Sequence, residues 1–156
     1  MKKKVYFLLA FLLAHISVSY AQGPDNYRTG LTTGYSYANS HFLQLGIIYG
    51  KNYGNVHIPA LGYGIGADVG LVEEKLAVGA KGFIEYNPFI LTVTRLGVIH
   101  YTSQGQNDFR ILPEAGISIF GLIHFTYGYS IPLSRREIVD IGKNRLSLSV
   151  NIFRED

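Results

Sequence analysis

Bulky apolar residues alternate with small or polar ones along most of the chain, most sharply from Leu61 to Leu71. Leu61, Tyr63, Ile65, Ala67, Val69 and Leu71 share one parity; Gly62, Gly64, Gly66, Asp68 and Gly70 share the other. A repeat of two is that of a β-strand, not of a helix. Glycine weakens a strand, so a glycine-lined face implies close backbone approach, as inside a narrow closed barrel. Gly66 on that face is expected to accept a hydroxyl.

The same alternation predicts strands at 29–38, 41–50, 61–71, 76–87, 89–101, 112–120, 122–131 and 145–153. Turns are expected at Asn39-Ser40, at Glu73-Glu74-Lys75 and at Asn87-Pro88. Polar loops are expected at 51–59, 102–110 and 132–144. The fifth strand is irregular. Arg95 falls on the parity of Leu91 and Val93, and Leu96 and Val98 fall opposite; a bulge there would restore the phase. Pro113 cannot donate to a ladder and is expected at a strand start or a bulge. No helical period follows the first twenty residues.

Size decides which face points outward. The apolar face is also the large one, rich in Tyr, Phe, Leu and Ile, and an eight-stranded lumen has room only for side chains. The Gly, Ser, Thr and few charged residues of the other face fit it better. An outward apolar face on strands of about ten residues suits a barrel in a bilayer. Tyr35, Tyr37, Tyr49, Tyr86, Phe89, Tyr101, Tyr129 and Phe153 lie near strand ends, where interfacial aromatic girdles would sit.

The opening MKKK, the short apolar run after it and the small residues Ser19 and Ala21 have the form of a secretory signal peptide, with cleavage expected after Ala21. This divides the chain into a signal at 1–21 and a barrel domain at 22–156. Export changes the charge argument. Of 14 Lys plus Arg, Lys2, Lys3 and Lys4 leave with the signal, so eleven remain against 11 Asp plus Glu. A neutral mature chain gives no reason to expect nucleic acid as a partner. With no cysteine, disulfides and thiolate metal sites are excluded.

A signal peptide, eight alternating strands and a final strand RLSLSVNIF resemble a small outer-membrane β-barrel, similar in build to the transmembrane domain of the outer-membrane protein A family. The resemblance is one of pattern over the mature chain. It implies an all-β, eight-stranded antiparallel up-and-down transmembrane barrel with both termini in the periplasm, and loops 102–110 and 132–144 outside the cell. It also implies outer-membrane lipid and the barrel-insertion machinery as partners and a monomeric state. In such proteins the last strand commonly ends the chain on an aromatic; here Arg154, Glu155 and Asp156 follow Phe153.

Asp68, Lys81, Glu85, Glu114, His124 and Arg145 are predicted on the lumen face, where charges must be paired. The simplest reading is a salt-bridged polar network. Ser118 and His124 lie on successive strands joined near Gly121, with Glu114 on the same face, which makes them candidates for nucleophilic chemistry. The G-x-G-x-x-A string from Gly62 lies within a strand, with no helix after it, so it lacks the context of a dinucleotide site. The histidines lack metal-ligand spacing, and no cofactor or metal is expected. The function expected is a non-enzymatic outer-membrane barrel with a structural or surface-interaction role. Two alternatives stand beside it: a soluble secreted calycin-like barrel binding a lipophilic ligand, and an outer-membrane lipid-modifying enzyme using a His-Ser pair.

Overall fold

The computed structural model describes residues 27–51, 60–89, 91–134, 138 and 140–153. The proposed signal peptide and most of the 51–59 loop lie outside the described residues. The alternating segments form β1 (Tyr27–Tyr37), β2 (His41–Lys51), β3 (Ala60–Val72), β4 (Lys75–Phe89), β5 (Thr92–Ser103), β6 (Gln106–Ile119), β7 (Ile123–Tyr129), β8 (Ile131–Pro132) and β9 (Asn144–Phe153). β1 to β6 pair antiparallel in sequence order, β7 pairs with β6 and β9, and β8 pairs with β6. The β1–β9 and β5–β6 pairings leave no open edge. β7 and β8 pair with β6 in one continuous register and form a single stave, so the closed barrel has eight.

Pro113 explains the break in that stave. It lies in mid-strand on the outer face of β6 in a continuous register, not at the strand start or bulge expected. Its side of β6 pairs with β7 from Glu114 onward and with β8 at Arg110 and Ile111, and nothing pairs at Leu112 and Pro113 between them. A residue without an N–H leaves its gap there, while on the other side of the stave the Ser130 N–H continues the β7–β9 register by donating to the Lys143 carbonyl at 2.6 Å.

Four further expectations are corrected. Asn87-Pro88 is not a turn but part of β4. The register slips by one between Tyr86↔Thr94 and Phe89↔Thr92, which is a bulge where proline is tolerated. With the extra residue in β4, β5 needs no bulge of its own: Val93, Arg95, Gly97, Ile99 and Tyr101 are all buried inside. Tyr101 is therefore an interior residue and not part of a girdle. The polar string at 102–110 is also not a loop. Ser103 pairs with Gln106 across a two-residue Gln104-Gly105 turn, and β6 starts at Gln106, so Asp108 and Arg110 enter the lumen.

The bare face of β3 is explained by what approaches it. Across the β2–β3 pair, a Cβ added to Gly66 would lie 2.5 Å from the Leu45 carbonyl oxygen and 3.0 Å from the Gly46 Cα. Gly66 therefore has no room for a serine, contrary to the sequence-based expectation. Gly64 lies under the Phe83 ring. Toward the end formed by turns 38–40, 73–74 and 104–105, the interior is apolar: Phe42, Val72, Ala77, Ile99, Tyr101 and Leu112 pack with Ile138 and Ile141 of the β8–β9 connection.

Candidate functional site

Alternation places charged side chains from five staves in the lumen. Four acids, Asp68, Glu85, Asp108 and Glu114, are buried there with four bases, Lys81, Arg95, Arg110 and Arg145. The six residues expected in the lumen, Asp68, Lys81, Glu85, Glu114, His124 and Arg145, are all interior. Arg95, Asp108 and Arg110 join them, and these three were not anticipated.

The contacts form one continuous network and one separate pair. Arg145 forms an ion pair with Asp68, and the Tyr101 hydroxyl donates to the same carboxylate at 3.2 Å. Gln44 Nε2 donates to the other Asp68 oxygen at 3.4 Å. Arg145 Nε reaches Ser147 Oγ at 3.4 Å, and that hydroxyl donates to Glu114 Oε1 at 3.1 Å. Glu114 also accepts from Thr126 Oγ1 at 3.3 Å and from Lys81 Nζ at 3.4 Å, with Arg95 Nη1 3.9 Å away. Arg95 forms an ion pair with Glu85, with Nε at 3.1 Å, and its guanidinium carbon lies 4.8 Å from the centre of the Phe83 ring. Glu85 Oε1 accepts from Asn87 Nδ2 at 3.1 Å and from Asn151 Nδ2 at 3.2 Å, and His124 Nε2 is 3.5 Å away.

The separate pair is Asp108–Arg110, both fully buried beneath the β8–β9 connection. Arg110 donates to Asp108 from Nε at 2.8 Å and to the backbone carbonyls of Ile138 at 2.9 Å and Ile141 at 2.8 Å. The Ile138 N–H returns a bond to Asp108 at 2.9 Å, and the Gly142 N–H donates to the Ala38 carbonyl at 2.7 Å. Part of what looks in sequence like an external charged loop, at Ile138, Ile141 and Gly142, is folded into the barrel mouth and held by one guanidinium, while Leu133, Asp140 and Lys143 stay exposed. The guanidinium's donors are met by Asp108 Oδ2 and by backbone carbonyls, which is how a buried cation is tolerated, while Asp108 Oδ1 is buried without a hydrogen-bond partner among the described residues.

Ser118 and His124 are cross-strand partners, as their spacing about Gly121 suggests. Their side chains do not bond to each other among the described contacts. Ser118 Oγ accepts the Gly121 N–H at 3.0 Å, closing the hairpin, and His124 Nε2 lies 3.0 Å from Asn151 Nδ2. Both are fully buried, and Glu114 is engaged with Lys81, Thr126 and Ser147. Among the described residues no three His, Asp or Glu side chains are placed to hold a metal ion, and no helix is long and apolar enough to cross a membrane, which says nothing of strands.

The outer face is the reverse of the lumen. Leu43, Leu45, Ile47, Ile65, Leu71, Leu76, Ile84, Leu96, Ile117, Phe125, Leu148 and Ile152 are exposed on it, Ile65 at 69%. Among the described residues, Asp, Glu, Lys and Arg lie in the lumen or at the two ends of the barrel, and none lies in mid-strand on the outer face. Comparison with protein-family models, with curated proteins and with solved structures finds no match for this chain.

Proposed function

We propose that the protein is an integral outer-membrane β-barrel, exported through a cleaved signal peptide, that works as a monomeric, non-enzymatic structural or surface component. One observation carries the reading: ion pairs line much of the barrel's interior, and among the described residues the outer face is apolar and free of charge in mid-strand. In water that arrangement would hydrate the large aliphatic side chains while withdrawing eight ionised groups from solvent, and both are costly. In a bilayer the same outer face is solvated by acyl chains. A calycin-like soluble barrel needs the opposite inside and outside. The matched, interlocked charges support a sealed lumen and not a conducting one, and a closed sheet leaves no edge for assembly with a second copy.

The test is fractionation. The protein is expected to stay with outer membranes through carbonate and urea washes and to run at a different gel position before and after boiling, as a folded barrel does. Release into the soluble fraction by either wash overturns the proposal.

A further inference from the structure

The described turns at the two ends of the barrel carry opposite chemistry, although Arg28 and Lys51 stand at the start of β1 and the end of β2, at the same end as the apolar turns. At one end the described turn residues include Glu73, Glu74, Gln104 and Asp140. At the other, the β4–β5 and β6–β7 turns carry Phe89, Leu91, Phe120 and Leu122, all exposed, Phe89 at 73% and Phe120 at 63%. These two turns are neighbours, joined by the Ser118 N–H donating to the Leu91 carbonyl at 3.0 Å. The four side chains therefore form one patch. None of the described residues from Asn87 to Thr92, or from Ser118 to Ile123, is charged.

Phe120 is the informative member. Its φ is +51°, followed by Gly121 at +68°, in a turn closed by the Leu122 N–H to the Ile119 carbonyl at 3.0 Å. Consecutive positive φ angles favour Asn-Gly, and a bulky aromatic is rarely found there. A strained, exposed aromatic at a turn tip points to a use for the side chain and not to a backbone preference.

On β6 and β7 the patch also runs without a polar break into the outer band through Ile117, Ile119 and Ile123, all exposed, with Thr94 intervening on β5. At the opposite end Lys75, Thr102 and Asn107 interrupt the band before the turns. A protein-docking patch is ordinarily set off by a polar rim; this one is an extension of the outer band.

We propose that the Phe89–Leu91 and Phe120–Leu122 turns are a lipid-insertion edge, buried in the same bilayer that surrounds the band, so that these two turns stop within the membrane interface and do not emerge into water. The occupant is phospholipid, and the inference rests on the membrane reading above. The chain has no tryptophan, so a single introduced one reports its own surroundings. Phe120→Trp, Gln104→Trp and Ile65→Trp would each be refolded into phosphatidylcholine liposomes made with and without brominated acyl chains, and also exposed to aqueous acrylamide. Trp at 120 is expected to emit at shorter wavelength, to be quenched by brominated lipid and to have an acrylamide quenching constant several-fold below that at 104. Leu122→Trp asks the same question outside the left-handed position if Phe120→Trp fails to fold. Quenching of Ile65→Trp by brominated lipid combined with acrylamide access at 120 and 122 equal to that at 104 overturns the insertion edge and leaves the membrane reading intact. Absence of lipid quenching at 65 overturns both.

Discussion

Three turns of the barrel make the same backbone demand and meet it with different side chains. Glu73-Glu74 and Gln104-Gly105 at one end, and Phe120-Gly121 at the other, each place two successive residues at positive φ. Neither Glu-Glu nor Phe-Gly is what the geometry favours. The comparison shows that the surroundings of each end, and not the turn itself, select the side chain. Polar tips lie over a mouth sealed by Arg110, and apolar tips lie beside the band. The same contrast holds inside: the polar-tipped end is filled by Phe42, Leu112, Ile138 and Ile141, whereas Glu85, His124 and Asn151 lie toward the apolar-tipped end.

The largest change expected at the sealed end is from Arg110→Met. It leaves Asp108 charged and buried and frees the carbonyls of Ile138 and Ile141, so it should cost about 3–5 kcal/mol. Urea titration of the gel-shifted folded form in detergent measures it. A second change, Asp108→Leu, added to Arg110→Met should restore much of the loss, and no recovery would show that the pair does not act as a unit.

Next comes the band between the ends. Ile65→Arg should cost on the order of 2–4 kcal/mol in liposomes, since a cation at the bilayer midplane is poorly solvated. Its neighbour Gly66→Ser, on the lumen face, should cost about 1–3 kcal/mol by overpacking against Leu45 and Gly46. The two differ in medium: the arginine penalty should shrink in detergent micelles, where water reaches the band more easily, and the serine penalty should not. Equal penalties in both media would break the distinction between the faces.

Smaller still, Phe120→Asn should stabilise the turn by about 1 kcal/mol in detergent, because asparagine tolerates the left-handed region. The same substitution should weaken retention of the barrel in liposomes. Smallest is Gln104→Asn at the polar end, expected to raise stability by a few tenths of a kcal/mol in both media. Identical behaviour of the 120 and 104 substitutions in liposomes would remove the difference between the ends.

Much of the fold is legible in sequence because a barrel wall with unlike faces forces a strict period of two. Where the interior is itself apolar, the signal fades. In β5 both parities carry aliphatic residues, Val93 and Ile99 inside and Leu96 and Val98 outside, so the phase rests on Arg95 alone. The extra residue that sets that phase is in β4, beside Pro88, where dipeptide chemistry reads as a turn. Asp108 and Arg110 had a readable signal: they continue the parity of Leu112, Glu114, Gly116 and Ser118. The polar string before them hid it, because polarity in sequence does not separate a loop from a strand whose polar side faces a charged lumen. Gly66 shows a different limit. The bare face is visible in sequence, but what crowds it is the backbone across the pair at Gly46, which only the register reveals.

The long-range ion pairs have a consequence for the order of events during biogenesis. Asp68 on β3 finds its counter-charge in Arg145 on β9, 77 residues later, and Lys81 on β4 meets Glu114 on β6, 33 residues later. A barrel entering lipid one hairpin at a time, in order of synthesis, would carry Asp68 inward with no partner until the final stave arrived, at a cost of several kcal/mol. For a barrel that crosses a bilayer as proposed above, insertion in step with synthesis is therefore disfavoured. On that reading the earlier staves wait, held out of the acyl layer, until β9 is in hand, and β9 becomes the trigger for crossing as well as the seam that closes the wall.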